Sequence, residues 1–208
     1  MSGPTNGAQA QGASWFAQAP HQILANWYDE ARSTAPQQTT RAVCLSTVDE
    51  NNRPHARFVA LKRSDADGLI FATSLESPKA LQIQANNRVA LAMWWEHIGK
   101  QIRVEGTAAV IEPEDSERLF RARSRGAQLV SAASQQSRPI AGPEAFAGEL
   151  GRLEAEYRGR DVPRPQTWAG FRVQPTMYEF LNFDKERNHV RVRFTLVERT
   201  WQREFLQP

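Results

Sequence analysis

Residues 42–62 read AVCLSTVDENNRPHARFVALK. Ala42 to Val48 is rich in β-branched and small apolar residues, and reads as a strand. Asp49-Glu50-Asn51-Asn52 supplies the polar, turn-forming side chains that reverse the chain. His55 to Lys62 then returns as a second strand. Strand, turn and strand in twenty-one residues predict an antiparallel hairpin, and the same pattern continues downstream. Asp65 to Gly68 forms another turn and Leu69 to Thr73 a third strand. Arg88 to Trp95 and Lys100 to Ile111 read as two more strands, joined near Gly99. Gly170 to Leu181, His189 to Val197 and Thr200 to Leu206 close the chain in the same way.

Helices interrupt this meander. Ser77 to Ala85 predicts a short one, with Ser77 as its N-cap and Pro78 at its first position. Residues 113–125 and 143–159 carry helical patterns rich in Glu and Arg. Upstream, Ile23, Leu24, Trp27 and Tyr28 recur at helical spacing, so 20–34 reads as an amphipathic helix closed by Pro36. Residues 1–18, rich in Gly, Ala, Gln and Ser, read as a flexible N-terminal arm. Strands do not alternate with helices, which excludes a parallel sheet. The expected fold is mainly β with peripheral helices, an antiparallel barrel in one domain over 19–208. Pro163-Arg164-Pro165 is a stiff link inside that domain.

Composition narrows the function. Apolar residues are 40% of the chain and charged residues 24%, as in ordinary globular proteins. No apolar run reaches the roughly 20 residues a membrane helix needs, and Met1 to Pro20 lacks a secretory pattern. Cys44 is the single cysteine, which rules out an internal disulfide and fits the cytoplasm. The formal charge of +3 suits a small anionic ligand. Lys and Arg are dispersed, so a nucleic-acid module is not expected, and Trp94-Trp95 follow Leu91, Ala92 and Met93 in a core strand. His21, His55, His97 and His189 are scattered without metal-ligand spacing. Neither a Gly-rich phosphate loop nor a Gly-x-Ser-x-Gly elbow occurs. If the chain is an enzyme, an organic cofactor carries the reactivity.

Four ordered segments resemble the pyridoxamine-phosphate-oxidase family. They are Arg57-Phe58-Val59-Ala60-Leu61-Lys62; Phe71-Ala72-Thr73-Ser74 with Ser77-Pro78-Lys79; Gln136-Ser137; and Glu179-Phe180 leading to Arg187-Asn188-His189-Val190-Arg191. The tail Phe205-Leu206-Gln207-Pro208 is also similar. The resemblance implies a split antiparallel barrel, a homodimer, and one flavin mononucleotide (FMN) in each of two interface sites. It assigns Arg57 and Lys79 to the flavin phosphate, with hydroxyls from Thr73 and Ser137. The segment from Arg57 through Phe58, Val59, Ala60 and Leu61 to Lys62 would run beside the flavin ring, with Ala72 close by. Gln101 and Gln136 would bond the ring or its ribityl chain, and Arg191 would face the pyrimidine side. Three positions depart from the family: Ala72 replaces an aromatic residue, Pro78 a basic one and Leu181 a tryptophan.

The resemblance also implies a substrate site. Lys62 and Arg123 match cations that grip a substrate phosphate, while Leu119 and Ala127 replace two hydroxyl-bearing residues. Arg187 and His189 match residues over the reacting carbon, with His189 or a water taking the departing proton. Both cations kept and both hydroxyls lost resemble a branch that oxidises reduced phenazine precursors. The primary expectation is therefore an oxidase that aromatises a dihydrophenazine carboxylate by hydride transfer to flavin, with dioxygen giving hydrogen peroxide. In that expectation Leu119, Ala127 and Leu181 leave apolar room for the rings. The alternatives are oxidation of pyridoxine or pyridoxamine 5'-phosphate, and a non-catalytic flavin-binding barrel.

Overall fold

The computed structural model describes residues 15–34, 40–184, 186 and 189–207. Nine strands form one antiparallel sheet: β1 (Ala42–Val48), β2 (Pro54–Ala60), β3 (Arg63–Asp65), β4 (Gly68–Ser74), β5 (Arg88–Trp95), β6 (Lys100–Val110), β7 (Trp168–Asn182), β8 (Val190–Val197) and β9 (Thr200–Leu206). Their order is β2-β1-β5-β6-β7-β4-β3, with β8 and β9 continuing from the far half of β7. The helices are α1 (Pro20–Thr34), α2 (Pro78–Ala85), α3 (Pro113–Arg121), α4 (Arg125–Ala133) and α5 (Pro143–Glu156).

Side-chain alternation explains the core. In β1 Val43, Leu45 and Thr47 point inward, and in β5 Val89, Leu91, Met93 and Trp95 do. They meet Ile102, Val104, Phe171, Val173 and Phe180, all buried. Curvature comes from a register shift between Glu105 and Gly106. Gly106 lies so close to β7 that a Cβ there would stand 2.1 Å from the Gln174 carbonyl oxygen.

The ladder is not closed all round. The end strands β2 and β3 are consecutive in the chain and are joined at Leu61 and Lys62. The Leu61 amide donates to Arg41 O and the Lys62 amide to Ile70 O. These two bonds stand where a full ladder would, so the barrel is split at this corner and not fully closed.

Several boundaries differ from the sequence expectation. The expected helix over 113–125 is two, α3 and α4, broken after Arg121. Ser124 restarts it by accepting a hydrogen bond from the Ala127 amide. Ser77 occupies the N-cap position of α2 without capping it. Its hydroxyl donates instead to Ser74 O at 2.7 Å. The arm expected to span 1–18 is packed at its end: Trp15–Ala17 form a short 3-10 turn, with Trp15 4.9 Å from Trp27. Residues 1–14 and Pro36 lie outside the described residues. No described helix is long and apolar enough to cross a membrane.

A second apolar cluster sits outside the barrel. Phe120 of α3, Leu129 of α4, Leu153 of α5, Val162 and Trp168 pack together there. This cluster fixes α3 and α4 against the start of β7 and so sets the position of Arg123 between them.

Candidate functional site

The Arg57–Lys79 region is a pocket of cations with neutral partners. Arg57 projects from β2, and one guanidinium nitrogen donates to Thr47 Oγ1 at 2.6 Å and Leu45 O at 3.3 Å. The other donates to Gln82 Oε1 at 3.0 Å. Lys79, in the first turn of α2, is 8% exposed, and its ammonium donates to Thr73 Oγ1 at 3.1 Å. Burial, and then the nearby charge of Arg57, push the Lys79 pKa down to about 8. Two cations brought together without a carboxylate among these contacts constitute a site for an anion of high charge.

Thr73 links this pocket to the loop after α4. Its hydroxyl accepts from Lys79 and donates to Gln136 Oε1 at 2.7 Å. That bond consumes the carbonyl of Gln136 and leaves its amide N–H groups as donors. Ser137 follows at φ 70°, a left-handed conformation that costs a non-glycine residue energy and recurs at binding sites. Ser137 is exposed in this chain. Thr47 and Gln82 were missed by sequence reading. Gln82 lies three residues after Lys79, on the same helical face, and that spacing was the available signal.

A second cationic locus adjoins the first. Lys62 is held below the usual lysine range by desolvation first, then by the charges of Arg123 and Arg41, which places Arg123 nearby. The Arg123 guanidinium donates to Ala127 O at 2.8 Å and Ser131 Oγ at 3.1 Å, and lies 5.2 Å from the centre of the Trp168 ring. Its Nε is buried without a hydrogen-bond partner. A cleft of about 190 Å³ opens here, lined by Ala72, Thr73, Arg123, Ser131, Gln136 and Trp168 among others.

Within one chain, Leu119, Ala127 and Leu181 do not line a common cleft. Leu119 packs into the helix cluster with Phe120 and Trp168, and Leu181 lies on the far half of β7. Neither they nor Ala127 line the cleft at Arg123. The reason is that α3 turns Leu119 toward its own packing partners.

Gln101, Leu181 and Arg191 form a separate row. They are direct cross-strand partners on β6, β7 and β8, so their side chains share a face. Arg191 donates to Glu179 Oε1 through Nε at 3.1 Å and Nη2 at 2.9 Å, and Arg103 reaches both oxygens of Glu179 at 3.3 Å. Glu179 is 3% exposed. Ala72 and Thr73 pair with Gly170 and Ala169 at the start of β7, whereas Leu181 is near its end. About 3.3 Å per residue puts the two loci on the order of 40 Å apart along the strand. Phe58 is 74% exposed, Val59 half-buried, Ala60 exposed and Leu61 buried. Arg187 lies outside the described residues. His189 accepts the Asp184 amide on Nδ1 at 3.1 Å.

Two family models match. One, described as "Pyridoxamine 5'-phosphate oxidase", covers residues 30–155. The other, "Pyridoxine 5'-phosphate oxidase C-terminal dimerisation region", covers 168–208. The chain belongs to the pyridoxamine 5'-phosphate oxidase family. It is 39% identical over 191 residues to the pyridoxine/pyridoxamine 5'-phosphate oxidase of Zymomonas mobilis, covering 92% of this chain and 99% of that one. The same-named protein of Anaplasma phagocytophilum is 37% identical, covering 91% and 92%. PhzG from Burkholderia lata 383, solved with tetrahydrophenazine-1-carboxylic acid, superposes with a TM-score of 0.89 at 26% identity, covering 96% of this chain and 98% of that one.

Family membership makes this a flavin oxidoreductase with FMN as its cofactor. The Arg57–Lys79 pocket fits the flavin phosphate, because a dianion supplies the charge its neutral partners lack. Residues 168–208, β7 to β9, are the family's dimerisation region, and the protein pairs as a homodimer. The primary expectation of a phenazine oxidase was drawn too finely. The curated relatives carry the vitamin-phosphate name, and the alternative reading has the better support.

Proposed function

We propose that the chain is an FMN-dependent pyridoxine/pyridoxamine 5'-phosphate oxidase of the cytoplasm. The observation that carries this reading is the Arg123–Ser131 pair beside Lys62. Ser131 accepts from Arg123 through an oxygen lone pair, so its own proton remains available to an anion. Two cations and a hydroxyl donor are then present for a substrate phosphate. The hydroxyls missing at Leu119 and Ala127 are offset by one that sequence alignment alone does not flag, one helical turn beyond Ala127.

In this reading Lys62, Arg123 and Ser131 hold the phosphate, and the Arg57–Lys79 pocket holds that of the cofactor. Bound FMN supplies the two-electron oxidation of the substrate's exocyclic alcohol or amine carbon, with dioxygen as final acceptor and hydrogen peroxide as product. The chain contributes orientation, charge and exclusion of water. The separation of the two loci along β7 supports a composite site in the homodimer. The cation pocket of one copy would face the Gln101–Arg191 row of the other.

A second reading is oxidation of a dihydrophenazine carboxylate. The two lost hydroxyls and the PhzG-like fold favour it, since a carboxylate needs fewer donors. The deciding experiment mixes oxidised holoprotein anaerobically with each substrate class and follows flavin absorbance. Rapid bleaching by pyridoxine 5'-phosphate, with peroxide after air is admitted, is the expected result. Bleaching by the tricycle alone would overturn the proposal.

A further inference from the structure

Arg123 is held in place without a carboxylate. Its polar contacts among the described residues are Ala127 O and Ser131 Oγ, and its guanidinium carbon lies over the Trp168 ring, 5.2 Å from the centre. Both hydrogen bonds leave from Nη2, which has two hydrogens, so that nitrogen is fully used. Nε is buried. Nη1 has no partner among the described residues and, unlike Nε, is not buried, which leaves it as the donor for a ligand. Arg123 and Trp168 line the same cleft of about 190 Å³. Trp168 is itself firmly set. It is 4% exposed, meets the Phe120 ring edge-on at 5.2 Å, and stands opposite Ser74 on β4. Its amide donates to Pro165 O at 2.9 Å, and its carbonyl accepts from Arg164 at 2.5 Å.

A ring face attracts a guanidinium through its quadrupole and leaves the charge whole. A carboxylate would also hold the arginine, but would neutralise it, as Glu179 does in part for Arg191. The charge of Arg123 acts on Lys62, and the two cations repel, so an arginine without this hold would swing away. We propose that Trp168 is the positioning residue for the substrate's anion: its ring holds Arg123 at full charge beside Lys62 and so sets where the phosphate binds. Trp168 acts through the phosphate and not through the reacting carbon. Its loss weakens ground state and transition state alike, and appears in KM and not in kcat. The substrate half of this assignment rests on the proposed function; the stack of Arg123 on Trp168 does not.

Two measurements separate these points. With holoprotein and pyridoxine 5'-phosphate, Trp168→Leu is expected to raise KM by about tenfold and keep kcat within about threefold of the wild type. Trp168→Phe, which retains a ring face, is expected to stay within about threefold in both. In an Arg123→Ala background, Trp168→Leu should change KM by less than about twofold, because the residue it serves is gone. Visible circular dichroism of the bound flavin shows that the variants are folded. The full KM effect of Trp168→Leu in the Arg123→Ala background, or a fall in kcat at unchanged KM, would overturn the proposal. The second measurement uses holoprotein labelled with ¹⁵N-arginine and needs no variant of Trp168. The Arg123 Nε–H signal, identified by its absence in Arg123→Lys, is expected upfield, shifted by the indole ring current, and slow to exchange with water because Nε is buried. A signal at the position of free arginine that exchanges rapidly would sink the stack, whatever the enzyme oxidises. Wild-type protein that never oxidises the vitamin phosphate would overturn the proposed function, while the Arg123 signal would still decide whether Trp168 holds the arginine.

Discussion

Two regions of this barrel gather arginine and lysine, and they do so in opposite ways. Between β2 and α2, Arg57 and Lys79 converge with carbonyls, amides and hydroxyls as their partners. Near the end of β7, Arg103 and Arg191 converge on Glu179, a buried carboxylate. The second arrangement is internally compensated, so Arg191 is a held shape with part of its charge neutralised. The first is not compensated and stays costly until an anion arrives. Keeping the Lys79 ammonium buried, with its pKa at about 8, costs the apoprotein on the order of 3 kcal/mol at neutral pH. Uncompensated charge thus marks a place suited to an anion, and compensated charge marks where geometry is fixed.

Breaking the first region has the largest expected effect. The double variant Arg57→Ala, Lys79→Ala should lose FMN binding at micromolar concentration, since each charge-assisted bond contributes roughly 1.5–3 kcal/mol. Lys79→Met alone sharpens the contrast. It should weaken FMN by roughly 10–100-fold, yet raise the melting temperature of the apoprotein, because a buried charge is exchanged for an apolar chain of similar length. Fluorescence titration of apoprotein with FMN and a thermal melt without it check both halves. A lower apoprotein melting temperature would show that Lys79 is already compensated.

Breaking the second region should do the reverse. Glu179→Gln takes the buried carboxylate from Arg191 and leaves Arg103 with Glu105 alone, and both arginines are partly exposed. A stability loss of about 1–3 kcal/mol is expected in denaturant melts. The phosphate pocket stays intact, so FMN affinity should change less than fivefold. A larger loss of FMN than of stability would mean that the row contributes binding and not shape.

The same contrast has a pH signature. Lys79 has a folded pKa below its unfolded value of 10.5, so the unfolded chain binds the extra proton between about pH 8 and 10.5. Apoprotein stability should therefore rise with pH across that window, as the cost of the buried ammonium disappears. FMN affinity should fall over the same window, because the phosphate needs the cation. Opposite slopes in the two measurements, both flattened in Lys79→Met, are the expected result. Parallel slopes would assign the titration to another group.

How much of this was legible depends on the range of the interaction. The strands over 42–48, 88–95 and 200–206 follow from local alternation, and the structure has them at those bounds. Arg57, Lys79 and Gln136 emerged only as an ordered set resembling a family; the structure joins Lys79 to Gln136 through Thr73 and brings Arg57 near enough for its charge to act on Lys79. Thr47 and Ser131 were invisible, since hydroxyl residues carry no pattern of their own and contact Arg57 or Arg123 only after folding; Gln82 was marked only by its helical spacing from Lys79. The three-residue β3 is too short to show a period. Leu119 misled for a related reason: its identity matched a substrate position, while its packing partners Phe120 and Trp168 belong to a helix cluster that local sequence does not reveal.

The smallest expected effect is the control that isolates Glu179. Arg193 stands on β8 beside the Glu179 row, directly across from Glu179 in register, but its guanidinium bonds Glu204 on β9 at 2.9 Å. That pair is open to solvent on both sides, with side chains 39% and 53% exposed. Exposed pairs gain little, because water screens the attraction and both long side chains lose rotamer freedom. Arg193→Gln should therefore leave the denaturant midpoint and FMN affinity unchanged within error at physiological salt. Glu179→Gln, one strand away, should shift the midpoint measurably under the same conditions. If Arg193→Gln destabilises as much as Glu179→Gln, the cross-strand neighbours act as one network of charges. The contrast between an arginine compensated by a buried carboxylate and one paired at the surface would then fail within β8 itself.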